Sequence, residues 1–183
     1  MTATTLDPKT ALVVVDLQNG IVGLPTVHPA ADIVANSATL ADAFRAKGLP
    51  VVLVRVTGGA PGRTDAPMHS GTLPADWAEI IPELGPREGD IVVTKQQWGA
   101  FYGTDLDLQL RRRGVTQVVV TGVATSIGVE STARSAHEHG YHVTVVTDAV
   151  TDMDGDAHRN SVEKIFPRLG ETDTTEAIVK LLG

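Results

Sequence analysis

The sequence predicts an α/β fold of three layers, an α/β/α sandwich in which helices cover both faces of a doubly wound, mostly parallel sheet of five or six strands. Two observations predict it. Short runs rich in β-branched residues alternate with longer stretches of helical periodicity, which is the order that builds β-α units. The first of these runs is almost entirely apolar, as in a central strand buried on both faces. A length of 183 residues matches one domain over residues 1–183.

The first half of the chain supplies the predicted start of the sheet. Ala11–Val15 is the first strand, and a helix over Asp32–Lys47 follows, because apolar residues recur there at helical spacing and a glycine ends the stretch. Pro50–Val56 is the second strand. Residues 57–89 are rich in Gly and Pro and are longer than an ordinary connection, so this segment is either functional or partly ordered by a short helix near Trp77–Ile81. Its length suggests a lid.

The second half repeats the alternation of strands and helices. The predicted strands are Ile91–Thr94, Gln117–Thr121, His142–Thr147 and a short sixth strand at Glu171–Thr174. The predicted helices are Asp105–Arg113, Ile127–His139, Ala157–Ile165 and Thr175–Leu182.

Composition and charge exclude several classes of protein. The formal net charge of -7 lacks the basic footprint that nucleic-acid binding requires. No apolar run reaches the roughly 20 residues that span a bilayer, and the first ten residues do not resemble a secretory signal, so we expect a cytoplasmic protein. Cysteine is absent, which excludes disulfides, thiolate ligands and a cysteine nucleophile. The histidines are scattered along the chain, so we expect neither a metal site nor a cofactor.

Polar residues follow the strands at the carboxyl edge of the predicted sheet, where ligands of doubly wound folds bind. Asp16 follows the first strand, with Gln18 two residues on, and Lys95 follows the third strand. Thr125 and Ser126 lie between the fourth strand and its helix. We therefore expect three segments to converge on one small-molecule site.

The two charged residues each have two interpretations. Asp16 at the rim of the core would have a raised pKa and carry a proton, or it caps the following turn. Lys95 would hold a substrate carboxylate or pair with Asp16, or it is a solvated lysine.

The neighbouring turn and aromatic residues are equally open. The amides at the helix start after Gly122 would hold an anion or oxyanion, or Ser126 caps that helix; both can apply together. Trp98, Phe101 and Tyr102 would wall an apolar pocket, or they serve packing or a subunit contact.

Three segments together resemble the isochorismatase-like hydrolase superfamily, also called the cysteine hydrolases. They are Val15–Asn19, Thr94–Lys95 and Gly122–Arg134, and the resemblance extends over residues 10–152. It implies the strand order 3-2-1-4-5-6, a small-molecule hydrolase, and a homo-oligomer, either a dimer or a tetramer. Asp16 and Lys95 match two residues of the family's catalytic set, and Gly128 stands where the family usually has its cysteine.

The missing thiol changes the mechanism that the resemblance implies. Amide hydrolysis through a thioester is excluded, because glycine has no side chain to attack a carbon. The chain is similar to family members in which the aspartate protonates a vinyl ether and water adds to the resulting cation. By this resemblance Asp16 is a general acid, Lys95 an electrostatic anchor, and residues 124–128 a ligand cradle. The resemblance also implies a cis peptide between Val123 and Ala124.

Two alternatives differ in class from acid-assisted hydrolysis. One is a non-catalytic relative that binds or senses a small molecule after losing the nucleophile. The other is water-mediated hydrolysis of an amide or imide, with Asp16 as the base.

Overall fold

Six parallel strands form one sheet in the computed structural model, which describes residues 2–65 and 72–183. Their order is β3-β2-β1-β4-β5-β6, and every pairing is parallel. The strands of this described part are β1 (Thr10–Val15), β2 (Val51–Val56), β3 (Ile91–Lys95), β4 (Gln117–Val123), β5 (His142–Thr151) and β6 (Glu171–Asp173). The predicted fold class and strand order are thereby confirmed, with an entirely parallel sheet in place of a mostly parallel one.

Helices pack on both faces of this sheet. They are α1 (Asn19–Val22), α2 (Ala30–Ala46), α3 (Leu106–Arg112), α4 (Glu130–Glu138), α5 (Gly155–Asn160), α6 (Phe166–Leu169) and α7 (Thr175–Leu182), with π-helical turns at Thr125–Val129 and Ser161–Ile165. One buried cluster joins α2 and α7 to the sheet, and a second joins α3, α4 and α6 to its other face. Because β1 contributes to both clusters, all six of its residues are buried, as its apolar composition predicts.

The strand order reverses between β1 and β4, so their carboxyl ends lie side by side and open a crevice. Gly122 makes this approach possible. Its φ is 119°, and a Cβ at this position would lie 2.0 Å from the carbonyl oxygen of Val15. Only glycine can therefore occupy the position without moving β4 away from β1.

The connection between β2 and β3 differs from its prediction. Residues 75–78 form a turn, and Ile80 makes an antiparallel bridge to Gln18, so the short helix expected at Trp77–Ile81 is wrong. The carbonyls of Trp77 and Glu79 accept hydrogen bonds from the amides of Gly20 and Asn19. These carbonyls thereby accept hydrogen bonds from the start of α1 instead of forming the bonds of a helix around Trp77. The predicted lid over 57–89 falls partly on residues 66–71, which lie outside the described residues.

In the two described stretches of the chain, no helix combines the length and the apolar composition needed to cross a membrane.

Candidate active site

The carboxylate of Asp16 meets the ammonium of Lys95 at the carboxyl edge of the sheet. Lys95 Nζ lies 2.7 Å from Asp16 Oδ2, and both residues are buried, with 2% and 6% of their surfaces exposed. Asp16 directly follows β1 and has a positive φ of 54°, a conformation that Asp tolerates better than most residues. Lys95 is the last residue of β3, and its long side chain spans β2 to reach Asp16.

The ammonium of Lys95 has no proton left for a ligand. Besides Asp16, it donates to the carbonyl oxygen of Gln97 at 3.1 Å and to that of Trp98 at 2.8 Å. An ammonium has three protons, and these three acceptors account for all of them. This geometry disagrees with the expectation that Lys95 holds a substrate carboxylate. It agrees with the alternative that Lys95 pairs with Asp16.

Burial gives Asp16 an unusual proton affinity. Loss of hydration raises the pKa of its carboxyl group from 3.8 to about 6, against the opposing effect of the Lys95 charge. Oδ2 accepts the Lys95 bond, whereas Oδ1 is buried and has no hydrogen-bond partner among the described residues. A buried polar atom without a partner is rare in folded proteins and requires an explanation.

Gly128 leaves space directly beside this carboxyl group. A Cβ there would lie 3.2 Å from Asp16 Oδ2, 3.1 Å from Cγ1 of Val15 and 3.5 Å from the carbonyl oxygen of Trp98. Position 128 thus lies against Asp16, and even a Cβ there would fit only tightly.

A cavity of about 200 Å³ opens over the pair. Asp16 and Lys95 are the two titratable groups among its described lining residues. The rest of the wall is mainly apolar, with Ile21, Leu24, Val56, Val123, Ala124, Ile127 and Met153 beside Gly58, Gly59, Gln97, Trp98 and Gly128. Its size and lining suit a small molecule with few polar groups.

Ser126 is bound to a carboxylate of the protein itself. Its amide and its hydroxyl donate to Oδ2 of Asp152, at 2.7 and 2.8 Å. Oδ1 of Asp152 accepts the amides of Met153 and Asp154. Neither a ligand-binding role for the Ser126 amide nor helix capping by its side chain agrees with this arrangement.

Thr125 also turns away from the cavity. It is fully buried, and a hydrogen bond of 2.9 Å joins its hydroxyl to Nδ1 of His158. The ring of His158 packs edge to face on His28, with centroids 4.7 Å apart. Burial and the neighbouring His28 lower the pKa of His158, and Asp152 opposes them. Of residues 124–128, those that line the cavity are Ala124, Ile127 and Gly128. The peptide between Val123 and Ala124 is cis, which confirms that expectation.

Gln18 binds the backbone around the site. It is fully buried, its Nε2 donates to the carbonyls of Val56 and Trp77, and its Oε1 accepts the amide of Val56 at 2.7 Å. These bonds tie the ends of β1 and β2 to the 72–80 stretch. Gln18, which we expect at the small-molecule site, is therefore not among the residues that line the cavity, because its amide group binds the backbone.

The three aromatic residues separate in the structure. Trp98 lies at the cavity mouth with 64% of its surface exposed. Phe101 is buried in the core, stacked on His139, and Tyr102 is 83% exposed and lines no part of the cavity. The interpretation as a pocket wall is therefore wrong for Phe101 and Tyr102, whereas the alternative of packing holds for Phe101.

Sequence reasoning misses Asp152. The fifth strand is predicted to end at Thr147, but β5 continues to Thr151, so Asp152 directly follows a strand, as Asp16 does. The same signal that selects Asp16, a carboxylate after a β-branched run, would select Asp152 if the strand end were placed correctly.

Comparison with known proteins identifies the family. The family model of the isochorismatase domain matches residues 10–177, most of the chain. The chain belongs to the isochorismatase family. It is an isochorismatase-family hydrolase, and its sheet order is that of the family fold.

Two relatives cover nearly the whole of this isochorismatase-family chain. The uncharacterized isochorismatase family protein YwoC of Bacillus subtilis is 47% identical over 179 residues, covering 94% of this chain and 93% of that protein. The structure of an isochorismatase family protein from Burkholderia thailandensis is 49% identical, with a TM-score of 0.93 and 97% of each chain covered.

A third likeness is to an enzyme with a named activity. The crystal structure of N-carbamoylsarcosine amidase from Thermoplasma acidophilum is 31% identical, with a TM-score of 0.76, over 92% of this isochorismatase-family chain and 97% of that one.

Proposed function

We propose that this protein hydrolyses a small vinyl ether or a related molecule by acid catalysis through Asp16, without a covalent intermediate. The observation that carries the proposal is the Asp16 carboxyl group. It lines the cavity, burial raises its pKa to about 6, and its Oδ1 has no partner among the described residues. A group with such a pKa donates a proton readily near neutral pH.

The proton is carried on Oδ1, because Oδ2 accepts the bond from Lys95. Asp16 transfers it to the terminal carbon of the vinyl group, which forms a C–H bond and leaves an oxocarbenium ion. Water adds to the cationic carbon and returns one proton to Asp16. The hemiketal that results breaks its bond to the leaving oxygen, which takes up the hydroxyl proton, and the products are a ketone and an alcohol.

Lys95 acts as a positioning residue in this mechanism. Its three hydrogen bonds fix the ammonium, and the ammonium holds Oδ2 of Asp16 in place. Its charge stabilises the carboxylate once the proton has left. Gly128 keeps the position beside Oδ2 free of a side chain.

The test is hydrolysis of isochorismate and simpler vinyl ethers by the wild type and by Asp16→Asn. We expect product from the wild type, kcat/KM that falls above about pH 6, and a loss of at least about 100-fold in the variant. Iodoacetamide should leave the wild-type rate unchanged, because the chain has no cysteine. Equal turnover by the two proteins would overturn the role of Asp16, and ligand binding without product would favour a non-catalytic relative.

A second candidate is amide or imide hydrolysis by water, with Asp16 as the base. It is favoured by the likeness to N-carbamoylsarcosine amidase and by the ionised form of Asp16 above about pH 6. The pH profile separates the two reactions, because a base requires the carboxylate. For this candidate kcat/KM rises through about pH 6, whereas for the acid it falls.

A further inference from the structure

We propose that Asp152 is a positioning residue of the site, which holds the turn after β4 against Asp16 and so keeps water from the Asp16 carboxyl group. The inference rests on the proposed function in taking Asp16 as the acid. It assigns a role to a buried carboxylate that lies behind the cavity.

The carboxylate of Asp152 accepts four hydrogen bonds. The residue is buried, with 2% of its surface exposed. Its Oδ2 accepts the amide and the hydroxyl of Ser126, at 2.7 and 2.8 Å, and its Oδ1 accepts the amides of Met153 and Asp154, at 2.8 and 3.2 Å. An ionised carboxylate only accepts hydrogen bonds, so it can satisfy all four donors at once. Hydrogen bonds to a charged acceptor are also stronger than neutral ones.

These bonds join two walls of the Asp16 cavity. Three residues of the turn that contains Ser126 line the cavity: Ala124, Ile127 and Gly128. Met153 lines it from the segment after β5, whereas Asp152 is not among the described lining residues. Because one carboxylate binds both segments, it fixes the position of each relative to the other.

The turn lies directly against Asp16. A Cβ at position 128 would be 3.2 Å from Oδ2 of Asp16 and 3.1 Å from Cγ1 of Val15, both closer than ordinary van der Waals contact. A water molecule is about as large as a methyl group, so the space between the turn and Oδ2 does not admit one at this point. The turn therefore contributes to the loss of hydration, which is the largest cause of the raised pKa of Asp16.

A second contact restrains the same turn from outside the cavity. The hydroxyl of Thr125, which is fully buried, is hydrogen-bonded to Nδ1 of His158 at 2.9 Å. This contact remains in a variant that lacks the bonds between Asp152 and Ser126. We therefore expect such a variant to shift the turn away from Asp16 without unfolding it.

The experiment compares the pKa of Asp16 in the wild type and in Asp152→Asn. It is measured by NMR titration of the Asp16 carboxyl carbon, whose signal is assigned by its loss in Asp16→Asn. Asn has nearly the shape of Asp, but its NH2 group must face some of the four donors. We expect water to enter beside Oδ2 and the proton affinity of Asp16 to fall at least about tenfold from that of the wild type, whose pKa is about 6. Equal pKa values in the two folded proteins would overturn the inference.

Asp152→Glu separates the position of the carboxylate from its charge. It keeps the charge but displaces the carboxylate by one methylene group, so the bonds to Ser126 cannot form as in the wild type. We expect the proton affinity of Asp16 to fall as in Asp152→Asn. A decrease in Asp152→Asn alone would attribute the effect to the charge and overturn the positioning role.

Ser126→Ala is a milder variant that also keeps the charge. It removes one of the four bonds to Asp152, the one from the hydroxyl. The proton affinity of Asp16 should fall, by less than in Asp152→Asn. This variant decides the question if both variants at position 152 are unfolded, and an unchanged pKa of Asp16 would then overturn the inference.

Asp148→Asn is the matched control for a general loss of stability. Asp148 also belongs to β5, and its Oδ1 accepts the amide and the hydroxyl of Thr175, both at 2.8 Å. The bonds are of the same kind, but they hold the start of α7, and neither residue is among those that line the cavity. Asp148→Asn should lower the free energy of unfolding and leave the pKa of Asp16 unchanged. A decrease in proton affinity as large as in Asp152→Asn would indicate general loosening of the fold and overturn the positioning role.

Hydrolysis of a vinyl ether separates this inference from the proposed function, because the NMR titration needs no substrate. For an active wild type, the pH above which kcat/KM falls should be lower in Asp152→Asn. A lowered pKa of Asp16 in Asp152→Asn without hydrolysis by the wild type would support the positioning role and count against the acid mechanism. Hydrolysis by the wild type, together with equal pKa values, would support the mechanism and overturn the positioning role.

Discussion

Lys95 Nζ lies 2.7 Å from Asp16 Oδ2, in a pair whose side chains are almost completely buried. Each partner compensates a charge that the surrounding core would otherwise disfavour. The pair therefore joins the ends of β1 and β3 across β2, and it lowers the proton affinity that burial gives Asp16.

Lys95→Met should destabilise the protein in a pH-dependent manner. Removing one partner of a buried pair costs about 3–5 kcal/mol. Since Lys95 lowers the pKa of Asp16, its loss should raise that pKa further above 6. The free energy of unfolding, measured by urea denaturation, should fall more at pH 8 than at pH 5, where Asp16 takes up a proton. Arg87→Met, which breaks an exposed pair with Asp42, should cost less than about 1 kcal/mol at both pH values. A loss independent of pH would contradict the coupling.

The free energy of unfolding of the wild type should depend on pH because of the raised pKa of Asp16. Its pKa is about 6 in the folded protein, against an ordinary value of 3.8 for an unburied Asp, so the folded state binds the proton more tightly than the unfolded state. The carboxyl group's contribution to the free energy of unfolding is therefore full below about pH 4 and is lost as the pH rises through about 6. The difference between the two pKa values corresponds to about 3 kcal/mol. The measurement is the difference in unfolding free energy between the wild type and Asp16→Asn from pH 4 to 7. The value for the wild type minus that for the variant should decrease as the pH rises. A difference that stays constant would refute the raised pKa.

Gly128→Cys should place a thiol in the cavity. A Cβ at this position lies 3.2 Å from Asp16 Oδ2, so the sulfur extends toward the ligand space. Iodoacetamide should modify the variant once, as mass spectrometry reports, and a bound vinyl ether should slow the reaction several-fold. Thr39→Cys on the exposed surface of α2 should react at the same rate with and without ligand. Labelling of Gly128→Cys that ignores the ligand would show that position 128 does not face the bound molecule.

Local patterns were enough to predict the fold and the convergence of Asp16 and Lys95. A residue after an apolar parallel strand must emerge at the carboxyl edge, whatever the rest of the chain does. The hydrogen-bond partners of the polar groups cannot be predicted in this way. The carbonyls that hold Lys95 are those of Gln97 and Trp98, and their directions depend on the loop after β3. Residue type does not encode such directions.

Sequence reasoning misses the position of Asp152 at a strand end for a different physical reason. The pairing of β4 with β5 changes register between Val120 and Gly122, and β5 continues past the predicted end at Thr147. A change of register depends on the contact between two strands distant in sequence, so periodicity along either strand cannot reveal it. The expected helix at Trp77–Ile81 fails for a similar reason, because its carbonyls bond α1.

Gly122→Ala should disrupt the crevice on which the site depends. The added methyl group would lie 2.0 Å from the carbonyl oxygen of Val15, and a φ of 119° is a conformation that L side chains rarely adopt. Relief requires β4 to separate from β1 directly beside Asp16. We expect a loss of about 3 kcal/mol or more in the free energy of unfolding, with loss of ligand binding. Gly23→Ala, where a methyl group meets nothing within 4 Å, is the matched control and should change stability by less than about 1 kcal/mol. Unfolding of both variants at the same urea concentration would contradict this prediction. It would show that β1 and β4 can move apart beside Gly122 without a loss of stability.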